Sequence, residues 1–276
     1  MAEKWSRGAA KALKRIEKNR RNELKEALKD VDREPGQAKC AGRNAAVKAR
    51  INVELWRNGF EGNTALTDAE AAIRSARQLD PDDFYTNWKT AYVLKYRARG
   101  GDWDTMMRDS LTYYAQALAT LRKTNPGNVD ALRSVLSDRA ETFVYQSQPR
   151  VALAEMKGAP ADPKQDWQDW ALAFAQHQNG DYGAAITTIN ALLAGHPSND
   201  LYYNDMRLLL AASQARAGDA NAQRTISDFR RYRDAAGEPV WTVALELERG
   251  AFEPGSAGET HWRESLELLD AAALPR

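Results

Sequence analysis

Apolar residues recur at every third or fourth position along most of this chain, and clusters of Gly, Pro, Asn and Asp cut the rhythm into helix-length segments. Trp5, Ala9, Leu13, Ile16, Leu24, Leu28 and Val31 predict one long amphipathic helix over 3–32, interrupted near Asn19-Arg20-Arg21 and ended by Glu34-Pro35-Gly36. Val47, Ile51 and Leu55 predict a second helix over 38–58. Residues 59–66 read as a loop, after which Thr67 can cap a helix carrying Ala69, Ile73 and Ala76 to about Gln78. Further helices are expected over 84–99, with Trp88, Tyr92 and Leu94, and over 105–123, with Tyr114, Ala117 and Leu118. The turn between them is Gly100-Gly101-Asp102-Trp103. Residues 129–146 and a short helix after Pro149 make a looser pair, closed at 159–163. Segments 201–217 and 220–232 pair around Gly218-Asp219. The tail predicts a short helix over 239–249, a loop at Glu253-Pro254-Gly255-Ser256, and a last helix over 260–272 with Trp262, Leu266 and Leu269.

The segment 166–199, DWQDWALAFAQHQNGDYGAAITTINALLAGHPSN, holds a whole unit of this pattern: helix, turn, helix and proline stop. Gly180-Asp181-Tyr182 makes the turn, Ala185 stands where two helices must approach closely, Ile189 and Leu192 follow on the same face, and Pro197 ends the unit. This unit resembles a tetratricopeptide repeat, although Trp170 falls one residue off the family's usual tryptophan position. Residues 69–81, ending in Leu79-Asp80-Pro81, resemble the second half of another. The resemblance implies an all-α, right-handed superhelical solenoid of about five helix pairs spaced 35–45 residues apart, as helical arrays require. The expected organisation is a basic amphipathic helix at 1–35, a repeat array at 38–234 and C-terminal capping helices at 235–276, which cover the last apolar face.

Charge adds an asymmetry to this picture. The net charge is only +1, yet residues 1–50 hold 15 Lys and Arg against 7 Asp and Glu, leaving the remaining residues net acidic. A basic arm on an acidic body can dock on that body, on a second copy or on an anionic partner. Lys11, Lys14, Arg15, Lys18 and Arg21 are the candidate contacts to nucleic acid or another anionic surface. Interspersed carboxylates, and Trp5 as the one aromatic available for base stacking, make nucleic acid the weaker alternative. No apolar run reaches the length of a membrane span and no secretory leader is evident, so the expected compartment is the cytoplasm.

The sequence holds little that argues for catalysis. Three histidines exist, His177, His196 and His261; the first two lie in one repeat, and neither of those has a carboxylate at metal-ligand spacing. No HExxH, phosphate-binding glycine loop or GxSxG motif occurs. Cys40 stands alone, which excludes an internal disulfide and a cysteine-based zinc site. The clusters Asp80/Asp82/Asp83 and Asp162/Asp166/Asp169 open helices and read as N-caps. No cofactor, metal or catalytic residue is therefore expected.

The resemblance instead points to the inner groove of a solenoid. In the co-chaperone subgroup of the family, a carboxylate clamp grips a peptide C-terminus with Lys and Asn four apart on one first helix, an Asn on the next, and Lys and Arg on the third. Lys48-x-x-x-Asn52 supplies the first element here, and Asn87 within Phe84-Tyr85-Thr86-Asn87 the second. The third departs from the pattern: Asp130 and Ser134 stand where cations belong, and Arg133 lies one position off. An Asp there would repel a carboxylate, so a groove that takes some other peptide or protein segment is the favoured reading. The expectation is a non-enzymatic scaffold or adaptor with Lys48, Asn52, Asn87 and Arg133 as ligand-binding residues. The alternative is a regulator whose basic N-terminal helix engages nucleic acid or an anionic surface, with the repeats as sensor.

Overall fold

The computed structural model describes residues 5–16, 21–98, 101–159, 169–194, 204–236 and 251–270. The protein is all-α, and its described residues form thirteen α-helices. They fall into two compact units, residues 1–127 and 128–276.

The first unit contains α1 (Arg7–Ile16), α2 (Arg21–Arg33), α3 (Ala41–Arg57), α4 (Asn63–Leu79), α5 (Phe84–Arg97) and α6 (Trp103–Thr124). Sequential neighbours pack as pairs, α1 with α2, α3 with α4 and α5 with α6, and α3 also packs along α5. The single helix expected over 3–32 is therefore two. A lone helix of that length would leave its narrow apolar stripe in water; folded back, the stripe buries Ala9, Ala12 and Ile16 against Leu24, Ala27 and Val31. Gly8 permits the crossing. A Cβ there would fall inside the contact shell of the Asp30 carbonyl and 2.7 Å from that of Glu34, while the Gly8 N–H donates to the Glu34 carbonyl at 3.2 Å. One free donor at the start of α1 thus meets a carbonyl just past the end of α2.

The expected loop at 59–66 is also shorter than the sequence suggested. α4 begins at Asn63, and Leu66 is a core residue. Thr67 does not cap; its hydroxyl donates to the Asn63 carbonyl from inside the helix (3.2 Å). The Trp56 indole N–H, donating to the Asn63 side-chain oxygen at 3.2 Å, ties the early start of α4 to the end of α3.

The second unit contains α7 (Val129–Tyr145), α8 (Pro149–Gly158), α9 (Trp170–Gln178), α10 (Tyr182–Leu193), α11 (Asn204–Ala217), α12 (Ala222–Ala236) and α13 (Ala257–Asp270). α7 pairs with α8, α9 with α10 and α11 with α12, so all five expected pairs are present and the N-terminal segment adds a sixth. Ala185, Ile189 and Leu192 are buried as their spacing requires. The C-terminal α13 packs on α11, and its Trp262 joins an aromatic core with Phe174 of α9 and Phe252. Pro197, His196, Lys18, Asp162, Asp166 and the helix expected at 239–249 lie outside the described residues.

One turn recurs in both units. Gly59, Ser147, Gly180 and Gly218 have φ of +68°, +55°, +84° and +70°. In each case the next residue's N–H donates to a carbonyl five residues back, from Phe60 to Leu55, Gln148 to Phe143, Asp181 to Gln176 and Asp219 to Gln214. This is the Schellman ending, which satisfies carbonyls left open at a helix C-terminus. Ser147 adopts it without glycine.

Candidate functional site

The face shared by α3 and α5 concentrates cations and aromatic rings. Residues 43, 47, 50 and 54 make one stripe along α3, since three- and four-residue steps keep to one side of a helix. Arg43 starts the stripe, donating from Nε and Nη2 to Oδ1 of Asp83 at 3.0 and 2.7 Å. Its guanidinium lies 4.8 Å from the Trp5 ring and 5.2 Å from that of Phe84. The other oxygen of Asp83 accepts from the backbone N–H groups of Tyr85 and Thr86, both at 3.1 Å, so Asp83 caps α5 as its sequence position suggested.

Further along, Tyr85, Trp88 and Tyr92 surround the ammonium of Lys89, whose Nζ is 3.4 Å from the Trp88 ring centre, 4.9 Å from that of Tyr92 and 5.5 Å from that of Tyr85. Lys89 is 2% exposed, deep enough for such contacts to act in a low dielectric. At the far end the Tyr92 hydroxyl donates to Oε1 of Glu54 at 2.7 Å.

Arg50 sits between these fixed groups. It is half-buried, and its Nε is buried without a hydrogen-bond partner. Burial acts against its charge, but Tyr85, Glu54 and Tyr92 outweigh that cost and raise its pKa. Arg50 is thus a permanent cation on this face.

The residues singled out in the sequence are placed differently. Lys48 is on the α2 side of α3, where it pairs with Asp32. Asn52, one turn on, is half-buried on that same side, away from the α5 stripe. Asn87 is 4% exposed, and its amide donates to the carbonyls of Pro81 (2.9 Å) and Asp83 (3.2 Å), tying down the turn before α5. Arg133 belongs to the second unit, where it is buried and bonded to Asp169. Asp169 makes no cap bond, contrary to its expected role.

The basic N-terminal residues are largely engaged within their own unit. Lys11 pairs with Glu34, Arg15 with Asp30 and Glu23 (both 2.7 Å), and Arg21 (3.3 Å) and Lys25 (2.6 Å) with Glu61. Lys14 is exposed.

In the second unit His177 and Ser213 are bonded but do not form a nucleophile–base pair. The Ser213 hydroxyl donates to the Leu209 carbonyl (2.7 Å), so its oxygen accepts from His177 Nδ1–H (2.9 Å). Both residues are buried. Burial, followed by the charges of His261 and Arg216, lowers the His177 pKa to about 4, so this imidazole is neutral near pH 7. Cys40 is also buried.

No protein-family model and no curated protein matches the chain. Among solved structures, the chain is similar to a tetratricopeptide repeat protein from Parabacteroides merdae, with 15% identity, 96% of this chain and 98% of that chain covered, and a TM-score of 0.42. Among the described residues no helix is long and apolar enough to cross a membrane.

Proposed function

We propose that the chain is a non-enzymatic adaptor whose α3–α5 face takes an acidic segment of a protein partner, with Arg50 as the anchoring cation. The observation that carries this reading is the half-buried Arg50 guanidinium, held as a cation beside Tyr85, Glu54 and Tyr92 on a face where Glu54 also accepts from Tyr92 and Arg43 is paired with Asp83. A carboxylate brought to the exposed part of this guanidinium would form charge-assisted bonds with a cation already held in place, which limits the entropy lost on binding. Arg50 then fills the role that the sequence suggested for Lys48, Asn52, Asn87 and Arg133. The nucleic-acid alternative has less support, since Lys11, Arg15 and Arg21 are drawn into intramolecular pairs.

Selection of random peptides displayed on phage against the full chain, with Arg50→Glu as the counter-target, tests the reading. Enriched peptides should carry Asp or Glu and should lose at least tenfold in affinity for Arg50→Met, while Lys48→Ala binds them as wild type does. Peptides without an acidic residue, or equal binding to Arg50→Met, would overturn it.

A further inference from the structure

The second unit carries a histidine pair where its C-terminal helix docks. His177 of α9 and His261 of α13 meet with ring centres 6.3 Å apart and planes nearly perpendicular. Around them, Phe174 and Trp262 pack at 5.2 Å, and Tyr182 of α10 presses edge-on against His177 at 5.4 Å. α13 approaches α9 closely at Gly258, where a Cβ would be 2.7 Å from the flexible end of Gln178, at Nε2.

The other ionisable groups close to this pair do not favour a cation. α11 contributes Arg216, which pairs with Glu264 of α13. α10 contributes Tyr182. α7 meets α9 at its opposite end, through Arg133 with Asp169 and Tyr145 with Trp170, while Glu155 of α8 is paired with Arg139. A second proton on His177 would therefore add charge to an apolar recess already facing another imidazole and a guanidinium. Its Nδ1–H is committed to Ser213, so the new proton must go on Nε2. The same repulsion weighs against a metal ion between the two rings.

We propose that His177 and His261 form an acid-operated latch: protonation of His177 releases α13 from α9 and α11 while the remaining helix pairs stay folded. With α13 docked, the His177 pKa is lowered to about 4; with α13 released, the imidazole returns to its ordinary value of about 6.5. The docked state binds fewer protons, so docking is fully favoured above pH 6.5 and weakens as pH falls toward 4. Between pH 7.5 and pH 4.5 the opening equilibrium should shift about 70-fold toward release.

Hydrogen exchange on the full chain, corrected for the pH dependence of intrinsic exchange, reads this directly. Residues 257–270 should lose about 70-fold in protection between those two pH values, and α3–α6 far less. His177→Asn, whose side-chain amide can still donate to Ser213, should make the 257–270 segment nearly indifferent to pH over that range. Equal loss of protection in both regions, or an undiminished loss in His177→Asn, would overturn the latch. Should that variant not fold, the ring Cε1–H NMR titration of wild-type His177 decides: a midpoint near 4 supports the latch and a midpoint between 6 and 7 removes it.

Discussion

Arg43 and Asp83 lie 40 residues apart in sequence, yet they meet through two hydrogen bonds in a contact that locks three features at once. It joins α3 to the start of α5, completes the cap on α5, and holds the guanidinium between the rings of Trp5 and Phe84. Both side chains are well buried, 12% and 2% exposed, so this pair differs from the weak ion pairs of the surface.

Arg43→Met should therefore destabilise the protein by about 3 kcal/mol, because it strands a buried carboxylate. Arg43→Lys should recover less than half of that loss, since an ammonium can neither make the forked contact nor stack between two rings. Urea denaturation of the two variants and of Asp83→Asn, with a double-mutant cycle, checks the coupling. Additivity of Arg43→Met and Asp83→Asn would mean that the pair contributes no more than its parts.

Gly180 and Gly183 are three residues apart, and a Cβ on either would meet open space, so backbone conformation alone sets the outcome. Gly180 has φ +84° in the turn, and Gly180→Ala should cost about 1–2 kcal/mol. Gly183 is exposed inside α10, and Gly183→Ala should gain about 0.5–1 kcal/mol. Thermal melts of the two variants should shift in opposite directions.

Lys48 and Asn87, joined in the sequence reading, should behave independently. Asn87→Ala leaves the Pro81 carbonyl without the amide donor, while the Asp83 carbonyl keeps the Asn87 backbone N–H (3.0 Å), and should cost about 1–3 kcal/mol. Lys48→Ala removes one largely exposed ion pair and should change stability by less than about 0.5 kcal/mol. Chemical denaturation of the singles and the double should show additive losses dominated by Asn87. A nonadditive double would show that the two residues share a structural role.

The sequence by itself determined the helices, most of their turns and their pairing, because these are set over short range. A periodic apolar face specifies each helix, and glycine before Asp181 and Asp219 supplies the positive φ that ends one. Ser147 makes the same turn with no glycine to announce it. Leu66 sat in what read as a loop until Trp56 reached Asn63 and drew α4 back over it. What only the tertiary structure decided was the partner of each polar side chain. Lys48 and Asn87 have plausible spacing for one site, but the rotation of α3 turns the first toward α2, while the amide of the second closes its own turn. The packed N-terminal segment likewise meets carboxylates that sequence spacing does not place against its cations, among them Glu61 beside Arg21 and Lys25. Periodicity fixes which face of a helix is buried; the packing of one helix on another fixes which charge meets which.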